Sequence, residues 1–130
     1  MRGNDRDKLF FETADFKYFE ELIKKYATDG FIIYAYCLMD NHIHILAREG
    51  KRTISSFVYV VCSSYATYFK YKNERSGHVF EKRFYSSPVE DRAYFDSCLQ
   101  YICENPVKAG IVQKPEEYLW LWINPRLQKE

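Results

Sequence analysis

A chain of 130 residues that is 47% hydrophobic and 28% charged has the ordinary balance of one globular domain, able to bury about two-thirds of its unfolded surface. Its net charge of +1 excludes a uniformly basic nucleic-acid-binding protein, so any contact with nucleic acid must be local. No run approaches the ~20 apolar residues of a membrane span, and Met1 to Asp7 lack the apolar stretch of an export signal, which points to a soluble, cytoplasmic protein.

In chain order, Phe16, Phe19, Leu22, Ile23 and Tyr26 recur at spacings of three and four, which predicts an amphipathic helix ending before Gly30. Phe31 to Leu38 reads as a strand, and Met39-Asp40-Asn41 turns the chain into a second strand, HIHILA. Thr53 can cap a helix carrying Ile54, Phe57, Val58, Val61, Tyr65, Tyr68 and Phe69 on one broad face. Lys82 to Val89 reads as another strand. Asp91 then starts a helix with Phe95, Cys98, Leu99 and Ile102 inward, and Pro106 predicts its end near Asn105. The order predicts a single α+β domain over residues 1–130, with helices on one face of an antiparallel sheet. A ferredoxin-like βαββαβ unit also needs a strand before the first helix, and only Lys8 to Phe11 could supply one, so that strand is short or missing. Cys37, Cys62, Cys98 and Cys103 form no CxxC pair and fall in apolar runs, as free thiols of a reducing compartment do.

Two groups of residues carry chemistry. His42 and His44 alternate on a predicted strand, so both imidazoles project from one side while Ile43 and Ile45 take the other. Such a pair is either a structural feature or two metal ligands, zinc being a common partner. Tyr101 and Asn105 are four apart on a predicted helix and share a face, as either packing residues or a phenol beside an amide oxygen. Between them in sequence lies a basic stretch, Lys70, Lys72, Arg75, Lys82 and Arg83 against Glu74 and Glu81, interleaved with Tyr68, Tyr71 and Phe84. Aromatic faces among cations suit unpaired bases on a phosphate track, whereas the plainer reading is a solvated loop beside a core-facing element. His78 stands in that loop as a further phosphate or metal candidate.

The runs RGN at Arg2 to Asn4, YAYCLMDNHIHIL at Tyr34 to Leu46, SSYATYFKYKNERSGHVFEKRF at Ser63 to Phe84, and YICENPVKAGIV at Tyr101 to Val112 resemble the REP-associated tyrosine transposases, single-tyrosine members of the HUH endonuclease group. PEEYLW at Pro115 to Trp120 extends the resemblance, which spans nearly the whole chain in order. The chain departs from it at Asp40, where the family usually has Pro, at Lys82, often Gly, and at Cys103-Glu104, often His-Leu. The family usually begins with an interior strand before RGN, which this sequence lacks. The resemblance therefore implies an N-terminally truncated domain, or a fold completed by strand exchange in a homodimer.

What the resemblance implies is a divalent metal held by His42, His44 and Asn105, with Tyr101 as the nucleophile that forms a 5′-phosphotyrosine on single-stranded or hairpin DNA. Two nitrogens and an amide oxygen suit Mg²⁺ or Mn²⁺. A free phenol, with a pKa of about 10, is mostly protonated at neutral pH and would gain from a nearby cation. Two other classes stay open: a module that binds a DNA or RNA hairpin without cutting it, and a small structural zinc protein in which Cys37 joins His42 and His44.

Overall fold

The computed structural model describes residues 8–74, 79 and 87–129. The elements are α1 (Thr13–Tyr26), β1 (Ile32–Leu38), β2 (Ile43–Arg48), α2 (Ile54–Asn73), α3 (Arg92–Lys108) and β3 (Leu121–Ile123). Two short 3-10 turns, Pro115–Glu117 and Pro125–Lys129, flank β3. The sheet is antiparallel in the order β2-β1-β3. The fold is the α+β class that the sequence predicts.

Alternation along the strands divides the molecule. Ile33, Tyr36, Leu38, Ile43, Ile45 and Ala47 face α1 and α2, while Ala35, Cys37, Met39 and Leu46 pack with Ile102, Phe95, Cys98 and Leu99 of α3. A register shift between Ile33 and Ala35 lets Ile33 share a face with Tyr36 despite the odd spacing. Helices therefore cover both faces of the sheet, α1 and α2 on one and α3 on the other, where the sequence placed all three on one face. Hydrophobic spacing reports that a helix has an apolar side but not which sheet face takes it.

The helix ends follow their capping residues. Thr53 accepts a hydrogen bond from Ser56 N–H at 3.1 Å, and Asp91 accepts one from Tyr94 N–H at 2.8 Å. Buried Phe57, Val58, Val61, Tyr65 and Phe69 form the inward stripe of α2. Pro106 does not stop α3, which continues to Lys108. Proline forbids one N–H bond and disfavours a helical residue before it, but this buried ring sits in the last turn, where Ala109 N–H still reaches Asn105 O at 3.0 Å.

Lys8 to Phe11 form no strand. Instead the N–H groups of Leu9 and Phe10 both donate to Asp40 O, at 2.6 and 3.4 Å, and Leu9 O accepts from the Tyr65 hydroxyl at 2.5 Å. The β1–β2 turn is thus tied down at Asp40 and at the end of β1, where Leu38 O accepts from Tyr118 Oη at 2.6 Å. Of the expected strand from Lys82 to Val89, residues 82–86 lie outside the described residues, and Ser87 to Val89 have no regular structure.

Asp15 is 1% exposed and is the polar tie between α1 and α2. Its carboxylate accepts from Lys72 Nζ and Tyr68 Oη, both at 2.6 Å, and from the N–H groups of Phe11 at 2.8 Å and Glu12 at 3.2 Å. Burial pushes the carboxyl up, but these donors outweigh it and leave it below the ordinary carboxylate range. Asp15→Ala leaves a half-buried hydroxyl and two N–H groups without their acceptor, so it is expected to cost about 2 kcal/mol in urea unfolding, with Lys72 limiting the loss by turning to solvent. A change under ~1 kcal/mol would show the network to be energetically neutral.

Candidate active site

β2 and α3 build the site from opposite sides of one contact. His44 pairs in register with Cys37 on the sheet face that α3 covers, and His42 lies two residues back on the same strand edge. The imidazole centroids are 5.0 Å apart, and the His44 ring meets the Tyr101 ring edge-to-face at 5.4 Å. Ile43 and Ile45 are in the other core cluster, as the alternation predicts. Tyr101 is 54% exposed; its side chain packs on His44 and remains open to solvent over much of its surface.

Asn105, one helical turn beyond Tyr101, has a buried amide nitrogen with no hydrogen-bond partner among the described residues. An amide left unpaired in a half-buried position is costly unless something else meets that group. Lys108 shares the same face: its Nζ lies 5.9 Å from the Tyr101 ring centroid and 3.7 Å from Glu104 Oε1. The sequence reading missed Lys108, although its spacing of seven from Tyr101 on a helix was the signal.

His44 titrates far from an ordinary imidazole. Burial is the main cause and His42 the second, and together they lower its pKa to about 4. At neutral pH the ring is uncharged and keeps a lone pair, which is the state a metal ligand needs. Two imidazoles on one strand, with the Asn105 amide on the helix packed against that strand, are nitrogen and oxygen donors of the types that a divalent cation with open positions takes. Among the described residues no three His, Cys, Asp or Glu side chains converge as a metal-binding group. Cys37 is buried beside Met39, and burial pushes its thiol up to about 12, so it is a poor third partner for a structural zinc.

The depressed His44 pKa has a measurable consequence. Between its ordinary value and about 4 the unfolded chain takes up a proton that the folded chain refuses, so stability falls as pH drops through that window. The loss reaches roughly 3 kcal/mol at the lower end. Asp15, whose pKa is lowered, adds stability that is lost only below that window, as pH falls through its folded value. Denaturant unfolding of the metal-free protein at pH 7 and 4.5 is expected to show the His44 term, and His44→Gln is expected to flatten it.

A groove of about 910 Å³ opens beside this contact, lined by His44, Arg48, Val58, Tyr94, Ser97 and Tyr101 among others. The expected nucleic-acid contacts divide. Tyr71 is 90% exposed and Lys70 is half-buried. Tyr68 stacks on Tyr18 at 4.3 Å and, like Lys72, is bonded to Asp15, so neither is held ready for a base or phosphate. Arg75, Lys82, Arg83 and Phe84, with His78, lie outside the described residues. Among the described residues no helix is long and apolar enough to cross a membrane.

A family model described as "Transposase IS200 like" matches residues 1–105, a span that includes His42, His44, Tyr101 and Asn105. Among solved structures, one of a REP-associated tyrosine transposase bound to a REP hairpin superposes with a TM-score of 0.72 at 22% identity, covering 91% of this chain and 69% of that one. At that identity the likeness is one of fold. No curated protein matches the chain.

Proposed function

This chain belongs to the IS200-like transposase family, and on that premise we propose that it cuts and rejoins single-stranded or hairpin DNA through Tyr101. The observation that carries the proposal is the 5.4 Å contact between the Tyr101 and His44 rings, which joins the two chemical groups across two elements distant in sequence.

His42, His44 and Asn105 would hold a divalent ion, Mg²⁺ or Mn²⁺. When bound, such an ion acts as Lewis acid and template for a phosphate oxygen. The chain's own residues do the rest. Tyr101 Oη, giving up its proton to solvent, forms a bond to phosphorus as the bond from phosphorus to the 3′-oxygen breaks. The products are a 5′-phosphotyrosine and a 3′-hydroxyl, which takes up a proton. Attack by that hydroxyl, or by one on another strand, reverses the step and releases Tyr101, so rejoining needs no ATP. The edge-to-face packing on His44 restricts the Tyr101 ring, and Lys108 places a positive charge beside the phenol and the phosphate that it would carry.

The REP hairpin bound by the structural neighbour supports hairpin DNA as the substrate class. Tyr71 and Lys70 on α2, together with Arg75, Lys82, Arg83 and Phe84, are the proposed contacts. Binding is expected to weaken with salt as phosphate contacts release counterions. Equal affinity for a random duplex would count against this. A homodimer is part of the proposal, because β2 is an edge strand among the described residues and a strand from a second copy could pair with it. Sedimentation velocity decides between monomer and dimer.

The activity test is incubation of the protein with an end-labelled hairpin oligonucleotide and Mg²⁺ or Mn²⁺. A denaturation-resistant protein–DNA adduct is expected. Tight hairpin binding with no adduct in either metal would instead favour a non-catalytic binding module.

A further inference from the structure

The β1–β2 connection runs from Met39 to His42 and is closed around Asp40-Asn41 by Met39 N–H donating to His42 O at 2.9 Å. Asparagine in so short a turn ordinarily serves a left-handed backbone. Here it does not: Asp29 and Glu74 are the only non-glycine residues with positive φ among the described residues. The turn is also held without the Asn41 side chain, by Leu9 and Phe10 donating to Asp40 O. What the Asn41 amide does is reach the neighbouring ring, with Oδ1 2.8 Å from His42 Nδ1.

An amide oxygen can only accept, and a neutral imidazole carries one N–H. With Oδ1 facing the ring, the contact is a hydrogen bond when Nδ1 carries the proton, and the lone pair is then on Nε2. We propose that Asn41 is a positioning residue that fixes the Nδ1–H tautomer of His42 and thereby makes Nε2 its metal-binding atom. The inference rests on the metal reading given above. Hydrogen-bonding partners of ligating imidazoles act in this way, orienting the ring and raising its basicity, and their loss typically weakens metal binding about 10- to 100-fold.

Two substitutions separate this role from a turn residue's. Asn41→Asp keeps an acceptor and removes the alternative in which the amide nitrogen donates to the ring; Asn41→Ala removes both. Long-range proton–nitrogen NMR of the histidine rings in the metal-free protein at neutral pH reads the tautomer directly, with His42→Ala to assign the signals. The Nδ1–H form of His42 is expected in the wild type and in Asn41→Asp, and its loss in Asn41→Ala. Mn²⁺ titration followed by electron paramagnetic resonance is expected to show affinity kept or improved in Asn41→Asp and reduced about 10- to 100-fold in Asn41→Ala. An Nε2–H tautomer in the wild type would overturn the proposal, as would Asn41→Ala leaving both readouts unchanged or Asn41→Asp weakening binding as much as Asn41→Ala. If instead His42→Ala leaves Mn²⁺ affinity unchanged, the metal reading fails, and the claim that Nε2 is the ligand atom fails with it. The tautomer signal still reports separately whether Asn41 governs the ring.

Discussion

Replacing His44 with alanine is expected to reduce adduct formation on a hairpin oligonucleotide on the order of 100-fold or more, while leaving hairpin binding within a few-fold of wild type. The imidazole would be both a metal ligand and the surface against which Tyr101 packs at 5.4 Å, so its loss removes charge stabilisation and loosens the nucleophile together. Stability moves the other way in acid. The His44 ring resists protonation because it is buried, with a pKa of about 4, so without it the protein loses less stability between pH 6.5 and 4. A variant that loses adduct yet unfolds with a flatter pH dependence has lost chemistry and not the fold. Undiminished adduct yield from His44→Ala would remove the metal site from the mechanism.

The site was legible where spacing and element type agree. HxH on a strand puts two rings on one side whatever the rest of the fold does, and a Tyr–Asn spacing of four on a helix puts both on one face. That the two pairs meet is a matter of long-range packing, which local periodicity does not encode; only the family resemblance linked them before the ring contact did. The basic-aromatic stretch shows the opposite case. Tyr68 and Lys72 have the composition of a nucleic-acid surface, yet both are bonded to Asp15, whose burial in the first turn of α1 nothing in its local sequence announces. β3 was missed because three residues, Leu121 to Ile123, are too few to show a period; what places them is Trp120 stacked on Phe16 and Trp122 stacked on Tyr36. Pro106 misled because the rule that helices end before proline takes no account of a buried ring in the final turn. Asn41 was read as a turn former, and the ring it would serve was the next residue along.

Covalent capture by Tyr101 is the claim on which the functional reading stands. Tyr101 is half-exposed, its ring packed against His44, one turn from Asn105 and near the Lys108 ammonium, which puts this side chain beside the histidines proposed to hold the ion. Tyr101→Phe removes one oxygen and keeps the ring that packs on His44, so folding and hairpin binding should survive. The direct measurement is denaturing gel analysis of wild type and Tyr101→Phe after incubation with a labelled hairpin and Mn²⁺. A shifted, denaturation-resistant band from the wild type and none from Tyr101→Phe is the expected result; an adduct of equal yield from Tyr101→Phe would contradict it.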